Sequence, residues 1–246
     1  RYPDITYKHD ISFKCGDLTF NLHHARGETD DHTWIHVPEE KLIAPGDLFI
    51  WAVPNGGNPQ KVQRYISDWA DALEEMLKLD CEIFLPGHGF PILGKKRIKK
   101  ALETTSKFLR SVEDQTIKLM NQGKSLNQVL HEVKIPNDLM ELPWLTPIYD
   151  DPQFLIRMIW RRYGGWWDGE FYRLLPAPRK DEALAWVELS NGIDNIILKA
   201  LEHLDKGNFK VAAQLIETAF HADNDNDQMH DARAKIYREF SLKQSS

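Results

Sequence analysis

The feature that most constrains the fold is a change in the spacing of apolar residues near residue 95. Before it, segments such as ISFKCGDLTFNLHH alternate apolar and polar residues around a Gly-Asp turn, which predicts β-hairpins. After it, GKKRIKKALETTSKFLRSVEDQTIKLMNQG has helical spacing and stops at Gly123, and further helical segments follow. The sequence therefore predicts an α+β protein with a boundary near residue 100, in which 1–100 is mixed and 101–246 is helical.

Charge and composition narrow the class of protein. The 246 residues carry a formal net charge of −6, whereas a protein that binds nucleic acid needs a basic face for the phosphates. No run of about 18 apolar residues exists, so no membrane span is predicted. The first residues, RYPDITYKHD, have the character of neither a signal peptide nor a transit peptide. We expect a soluble protein of the cytoplasm or periplasm, without a nucleic-acid partner.

Candidate metal or proton-transfer groups follow three predicted strands, each beside a glycine. HARGETDDHTW contains Glu28, APGDLF contains Asp47, and LPGHG contains His88. Strand-end loops are where folds with mixed sheets gather catalytic groups and ligands. Taken singly, each residue has an ordinary structural explanation, as a solvated loop carboxylate, a turn residue and a loop imidazole. Their joint order favours a functional site.

The same segments resemble one family closely. GETDDHTWIHVPEEKLIAPGDLF is similar to the second half of a metallo-β-lactamase-superfamily domain, and LPGHG is similar to that superfamily's last His loop. A Glu in GETDDH where most members have His is typical of the zinc-dependent alkyl sulfatases. GDLFIWAVPNGGNPQKVQRY and RRYGGWWDGEFYRLLPAP resemble that branch as well.

The resemblance implies a fold and a partner. Residues 1–100 would be the C-terminal half of an αββα metallo-β-lactamase sandwich, and 101–246 an all-α alkyl-sulfatase dimerisation domain that forms a homodimer. Such a half-domain would expose an apolar sheet face, which favours association.

The resemblance also assigns roles in a site that holds two Zn²⁺ ions when it is complete. Glu28 would bind the first zinc ion, Asp47 would bridge the ions or bind the second, and His88 would bind the second. His32 would organise the loop or support a ligand without touching the metal. A mixed shell of nitrogen and oxygen donors suits Zn²⁺, and a pair of ions activates water and stabilises an ester oxyanion.

Donors for the sulfate group are expected in NGGNPQKVQR, namely Asn55, Asn58 and Arg64, with the backbone N–H groups of Gly56 and Gly57. The alternative is a turn before a helix that begins at Asn58-Pro59, with Arg64 on a solvated face of that helix. Arg26 is a further candidate that is equally suited to bracing its loop.

The tryptophan-rich stretch from 144 to 186 has two interpretations. Trp160, Tyr163, Trp166 and Trp167 line a slot for an alkyl chain, or they pack the helical domain, and helical spacing favours packing.

Several family features are missing from this sequence. The first metal motif, His-x-His-x-Asp-His, is absent, and we expect it N-terminal to residue 1. The family's sterol-carrier-like C-terminal domain is absent as well, and Gln153-Phe154 stands near the place expected for a general-acid His. Three ligands alone should bind zinc weakly. We therefore expect that a longer parent hydrolyses alkyl sulfate esters and that this chain alone is inactive.

Two other functions stay open from the sequence. One is hydrolysis of another ester, a thioester or a lactone by an enzyme of the same superfamily. The other is a non-catalytic dimerisation module with a degenerate half-domain. Retention of Glu28, Asp47 and His88 together argues against the second alternative.

Overall fold

A computed structural model describes residues 2–243, which divide into two compact units, the first ending at Glu170 and the second beginning at Phe171. The first unit is built on a six-stranded sheet whose strands lie in chain order. They are β1 (Asp10–Cys15), β2 (Leu18–Ala25), β3 (His32–Val37), β4 (Leu42–Ile50), β5 (Ile83–His88) and β6 (Ile92–Leu93). All neighbours pair antiparallel except β4 and β5, which are parallel.

One helix of the first unit lies between β4 and β5, and the others follow β6. In chain order, they are α1 (Ile66–Met76), α2 (Lys95–Asn121), α3 (Leu126–Glu132), α4 (Asn137–Met140) and α5 (Pro152–Gly164). A parallel strand pair needs a crossover connection, and the segment containing α1 supplies it. The predicted stop of the long helix at Gly123 is confirmed, since Gly123 has a left-handed φ of 75° after the end of α2.

One face of the sheet packs against α1 and α2. Opposite residues of paired strands share a face, and the pairs His23–Trp34 and Ile43–Phe84 place these side chains on the helix side. Trp34, Ile43 and Phe84 are buried in one apolar core with residues of α1, α2 and α5. Burial of this face fixes the sheet's register, because a shift by one residue would expose these side chains.

The other face of the sheet is apolar, and no helix of the described residues 2–243 covers it. Pairing places Ile11 opposite Leu22, Leu22 opposite Ile35, and Ile35 opposite Ala44. None of these residues belongs to the core or packs against it. We call this surface the outer sheet face, and it comprises Ile11, Phe13, Phe20, Leu22, Ile35, Ala44, Ile83, Leu85 and Leu93. Phe13 and Leu93 are 50% and 57% exposed.

The helix predicted to begin at Asn58-Pro59 begins later, at Ile66. Residues 58–65 form a loop, and Tyr65 has φ −119° and ψ 89°, outside the helical region. The loop brings Arg64 into contact with Glu28, which lies 36 positions earlier in the chain. A contact between distant segments thus overrides the local helical pattern.

The second unit is helical and has its own core. It consists of α6 (Arg179–Leu189), α7 (Ile193–Asp205), α8 (Phe209–Ala222) and α9 (Asp227–Lys243). Ile197, Ala200, Ile216 and Ile236 are at most 1% exposed at its centre. The two compact units divide at 170–171 along the chain. The long helix α2, which follows the change of pattern near residue 95, packs with the sheet in the first unit. The boundary near residue 100 between a metallo-β-lactamase-like part and a dimerisation domain stays a prediction.

Candidate metal and sulfate site

Asp47 and His88 meet at the carboxyl end of the parallel strand pair. Asp47 lies in β4 and His88 ends β5, and the His88 Nδ1 atom lies 2.8 Å from Asp47 Oδ1. Gly87 makes this approach possible, because a Cβ atom there would lie 2.1 Å from the same carboxylate oxygen. Two of the three predicted ligands are therefore brought into direct contact.

Glu28 follows β2, and its carboxylate is held by a buried guanidinium. Arg64 Nη2 donates to Glu28 Oε1 at 2.8 Å. The Glu28 side chain is 20% exposed and that of Arg64 is 3% exposed. A charge-assisted hydrogen bond at this burial restricts the carboxylate to one orientation.

Arg64 lies on no solvated face, so that alternative for it is wrong. Its second amino group, Nη1, donates to the Asn55 carbonyl. Its Nε atom is buried and has no partner among residues 2–243. Arg64 therefore joins the Glu28 loop to the Asn55 turn, and its sulfate-binding role stays a prediction.

His32 supports the turn that carries Asp47. Its Nε2 atom lies 2.8 Å from the Pro45 carbonyl oxygen, and the ring packs against Gly46, where a Cβ atom would lie 2.9 Å away. An imidazole in this place organises the loop through backbone contacts. Its role in supporting a metal ligand stays a prediction.

The Gly56-Gly57 pair is a tight packing element whose N–H groups are already used. Gly56 N–H donates to the Pro54 carbonyl, and Gly57 N–H donates to Asp150 Oδ2 at 3.0 Å. A Cβ atom at Gly57 would lie 2.1 Å from the Phe154 carbonyl carbon. The expectation that these amides are free donors for sulfate is therefore wrong.

The predicted sulfate-binding asparagines occupy different positions. Asn55 lines a cavity beside Glu28, Asp47 and His88, and its side-chain oxygen is buried without a partner in the described part of the chain. Asn58 does not line this cavity, and its side-chain oxygen accepts from the Gln60 N–H.

The cavity has a volume of about 570 Å³ and mixed chemistry. The groups that the sequence analysis did not assign to it are Ile50, Trp51, Ala52, Lys61, Gly89, Ile148 and Tyr149. Trp51 is fixed by a hydrogen bond to the Phe90 carbonyl and by edge contact with Trp144. Lys61 lies in the quoted NGGNPQKVQR segment, whereas Ile148 and Tyr149 carried no sequence signal because they reach the site only through tertiary folding.

Asp150 is a buried carboxyl beside this cavity. It is 2% exposed, and burial raises the pKa of Asp150 to about 6, against the opposing effects of the Gly57 N–H and of Arg64. Asp150 fixes the segment 146–151 from one end, while the Thr146 carbonyl accepts from Val53 N–H at the other.

The remaining sequence candidates have structural contacts. Arg26 pairs with Asp68 at 2.7 Å and lies over the Tyr65 ring. Trp160 is 8% exposed in the core and donates to the Trp167 carbonyl, whereas Trp166 is 79% exposed. None of these tryptophans lines the cavity. Gln153, near the place expected for a general acid, makes its side-chain contact with the Leu130 carbonyl.

The donor set fits a metal centre only in part. Within residues 2–243, no three His, Cys, Asp or Glu side chains converge closely enough to hold a metal ion. Asp47 and His88 form a two-donor pair, and the Glu28 carboxylate is directed toward Arg64. Zinc sites bind four ligands in tetrahedral arrangement, so these residues do not make a dinuclear zinc site by themselves.

Comparison with known proteins decides the family. Residues 125–246 match the family described as alkyl sulfatase dimerisation. Residues 125–246 are an alkyl sulfatase dimerisation domain. The resemblance to the alkyl sulfatases is confirmed and extends beyond this domain, because curated alkylsulfatases align with most of the chain.

Two curated relatives illustrate this likeness. The linear primary-alkylsulfatase of Pseudomonas sp. (strain ATCC 19151) is 24% identical over 239 residues, which are 96% of this chain and 45% of that protein. The (R)-specific secondary-alkylsulfatase of Pseudomonas sp. is 26% identical over 205 residues, which are 81% of this chain and 30% of the relative. The chain thus spans less than half the length of these relatives.

A solved structure shows the same fold. The stereoselective inverting sec-alkylsulfatase Pisa1 from Pseudomonas sp. superposes with a TM-score of 0.92 at 22% identity, over 99% of this chain and 39% of that one. The α+β class and the helical dimerisation domain are confirmed. No helix of the described residues has the length and apolar character to cross a membrane.

Proposed function

We propose that this chain supplies the Glu28, Asp47 and His88 side of a dinuclear zinc site that hydrolyses alkyl sulfate esters. The observation that carries the proposal is the direct contact of Asp47 and His88 at the ends of parallel strands, with Glu28 on the same cavity. The other ligands would come from a His-x-His-x-Asp-His segment, which this sequence lacks. The chain alone would then bind zinc weakly and have no sulfatase activity.

The outer sheet face supports this division of the site. It carries apolar side chains from all six strands, and no helix among residues 2–243 covers it. Apolar surface of this extent is typical of an interface. A second sheet bearing the missing ligands would bury it, and the dimerisation domain would join two such assemblies into a homodimer.

Reconstitution tests the proposal. We would supply the segment of the linear primary-alkylsulfatase that precedes the region matched by this chain, and measure bound zinc and sulfate release from dodecyl sulfate. We expect about two zinc ions per complex and sulfate release only with both parts present. Absence of both, in a complex shown to form, contradicts the proposal.

A second candidate is hydrolysis of a thioester by the same site. An atrochrysone carboxyl ACP thioesterase of Cryptosporiopsis sp. (strain 8999) is 27% identical over 143 residues, which are 52% of this chain and 42% of that protein. Assay of the reconstituted complex with an acyl thioester and with dodecyl sulfate separates the two activities.

A further inference from the structure

The cavity beside Asp47 and His88 is lined by a lysine, Lys61, that forms no ion pair in the described part of the chain. Glu28 is paired with Arg64, and Asp47 is bonded to His88. Lys61 lines the cavity, is exposed, and has no ion-pair partner within residues 2–243. Its ammonium group is therefore free to contact an anion, whereas the guanidinium of Arg64 is already committed.

One wall of the cavity is apolar instead of charged. Ile148 and Tyr149 are 58% and 59% exposed, although both line the cavity. Their segment is held at both ends, by the Thr146 carbonyl bond and by the buried Asp150 carboxyl. Two large, mainly apolar side chains are thus exposed to solvent on a fixed segment, and neither belongs to the apolar core of the described residues.

From this arrangement we infer that Lys61 contacts the anionic head of an amphiphilic substrate and that Ile148 and Tyr149 contact its alkyl tail. Trp51 completes the apolar wall. It is held in place by Phe90 and by the close approach of Gly89, where a Cβ atom would lie 2.1 Å from the indole. The inference rests on the proposed function, because it assigns specificity determinants within the same site.

Binding of alkane sulfonates measures the two contacts separately. Their C–S bond resists hydrolysis, so binding is measured without turnover and without added metal. Butane, hexane and octane sulfonate, each below its micelle concentration, would be titrated into the chain by calorimetry. Complete burial of a methylene group strengthens binding about fourfold, so partial burial should give about two- to threefold per methylene.

The head contact is tested by Lys61→Met. We expect affinity for all three sulfonates to fall by about the same factor, on the order of fivefold, as for a partly exposed charge pair. The dependence on chain length should stay unchanged. Lys107→Met removes an exposed lysine of α2 that does not line the cavity, and it should leave all affinities unchanged.

The tail contact is tested by the double variant Ile148→Ser, Tyr149→Ser. We expect the gain per methylene to fall below about 1.5-fold while butane sulfonate is little affected. Leu93→Ser, which removes an equally exposed apolar residue that does not line the cavity, should retain the chain-length dependence.

Each outcome decides the inference. If wild-type chain binds no sulfonate, or if neither set of variants alters affinity and chain-length dependence as described, the inference is overturned. Reconstituted sulfatase activity is measured independently. Suppose that the reconstituted complex is active but that the variants bind sulfonates like the wild type. This result contradicts the assignment of Lys61, Ile148 and Tyr149 and leaves the proposed function intact.

Discussion

At the scale of single residues, Arg64 shows how a charged side chain is used inside this fold. It is 2% exposed, and its two hydrogen bonds reach residues that lie nine and 36 positions away in the chain. Guanidinium is suited to this role because its planar donors satisfy two acceptors at once. The Glu28 carboxylate is oriented by this contact before any ligand is bound.

Removal of Arg64 should destabilise the first unit. Arg64→Met leaves the Glu28 carboxylate and the Asn55 carbonyl without their donor, and we expect the free energy of unfolding to fall by about 2–4 kcal/mol. Urea denaturation followed by tryptophan fluorescence measures it. Arg26→Met, which breaks an ion pair with a 45% exposed arginine, should cost less than about 1 kcal/mol. Equal losses in the two variants would contradict the role of Arg64.

Asp150 should make stability depend on pH. Its pKa of about 6 in the folded chain lies above the ordinary aspartate value of about 3.9 in the unfolded chain. A raised pKa means that this group stabilises the fold below about pH 4 and that the contribution is lost as pH rises to about 6.

Asp150→Asn removes the titration and keeps an oxygen acceptor for the Gly57 N–H. We expect the stability of the variant, relative to wild type, to rise between about pH 4 and pH 6 and then level off. Denaturation series at several pH values measure this difference. A constant difference across the range would show that Asp150 has an ordinary pKa.

At the scale of elements, the turn at Gly56-Gly57 packs against the first turn of α5. Gly57→Ala would place a Cβ atom 2.1 Å from the Phe154 backbone, where no side chain can yield. We expect a loss of about 3 kcal/mol or more in the unfolding free energy of the first unit. Gly123→Ala has open space and only the cost of a left-handed φ, about 1 kcal/mol. Similar midpoints in urea for the two variants would contradict this account.

Local pattern was sufficient to predict several elements. Alternation around Gly16 indicated the β1–β2 hairpin, and Gly123 correctly marked the end of α2. The start of α1 was wrong, because the Arg64–Glu28 contact decides the conformation of 58–65. Elements determined by their own periodicity are predictable from one sequence, and those determined by distant partners are not.

The same distinction applies to the candidate site. Asp47 and His88 could be assigned to one site in advance, because each stands beside a glycine at a predicted strand end. The parallel pairing of β4 with β5 then brings them together. Ile148 and Tyr149 could not be assigned to it, since they come from a loop with no motif, and the neighbouring Asp150 is fixed by a residue 93 positions earlier, Gly57.

At the scale of the whole molecule, the outer sheet face should govern association of the chain. Leu22→Asn places a polar group near the middle of this face, and we expect species larger than a dimer to diminish in sedimentation velocity. The homodimer that we propose for the dimerisation domain should persist, because that domain is unaltered. Val62→Asn alters a 69% exposed residue on a loop and should leave the distribution unchanged. Loss of the dimer in the Leu22 variant would place the self-association on the sheet.

The one-sided packing of this sheet has a kinetic consequence. Its inner face already has a core with α1, α2 and α5, so the first unit can fold before any complement arrives. Encounter of two preformed parts is bimolecular, and dilution should then lengthen the delay before activity in inverse proportion to concentration. A single continuous chain would show no such delay. The time course of reconstitution would therefore show whether the two sheets are assembled by collision or by folding.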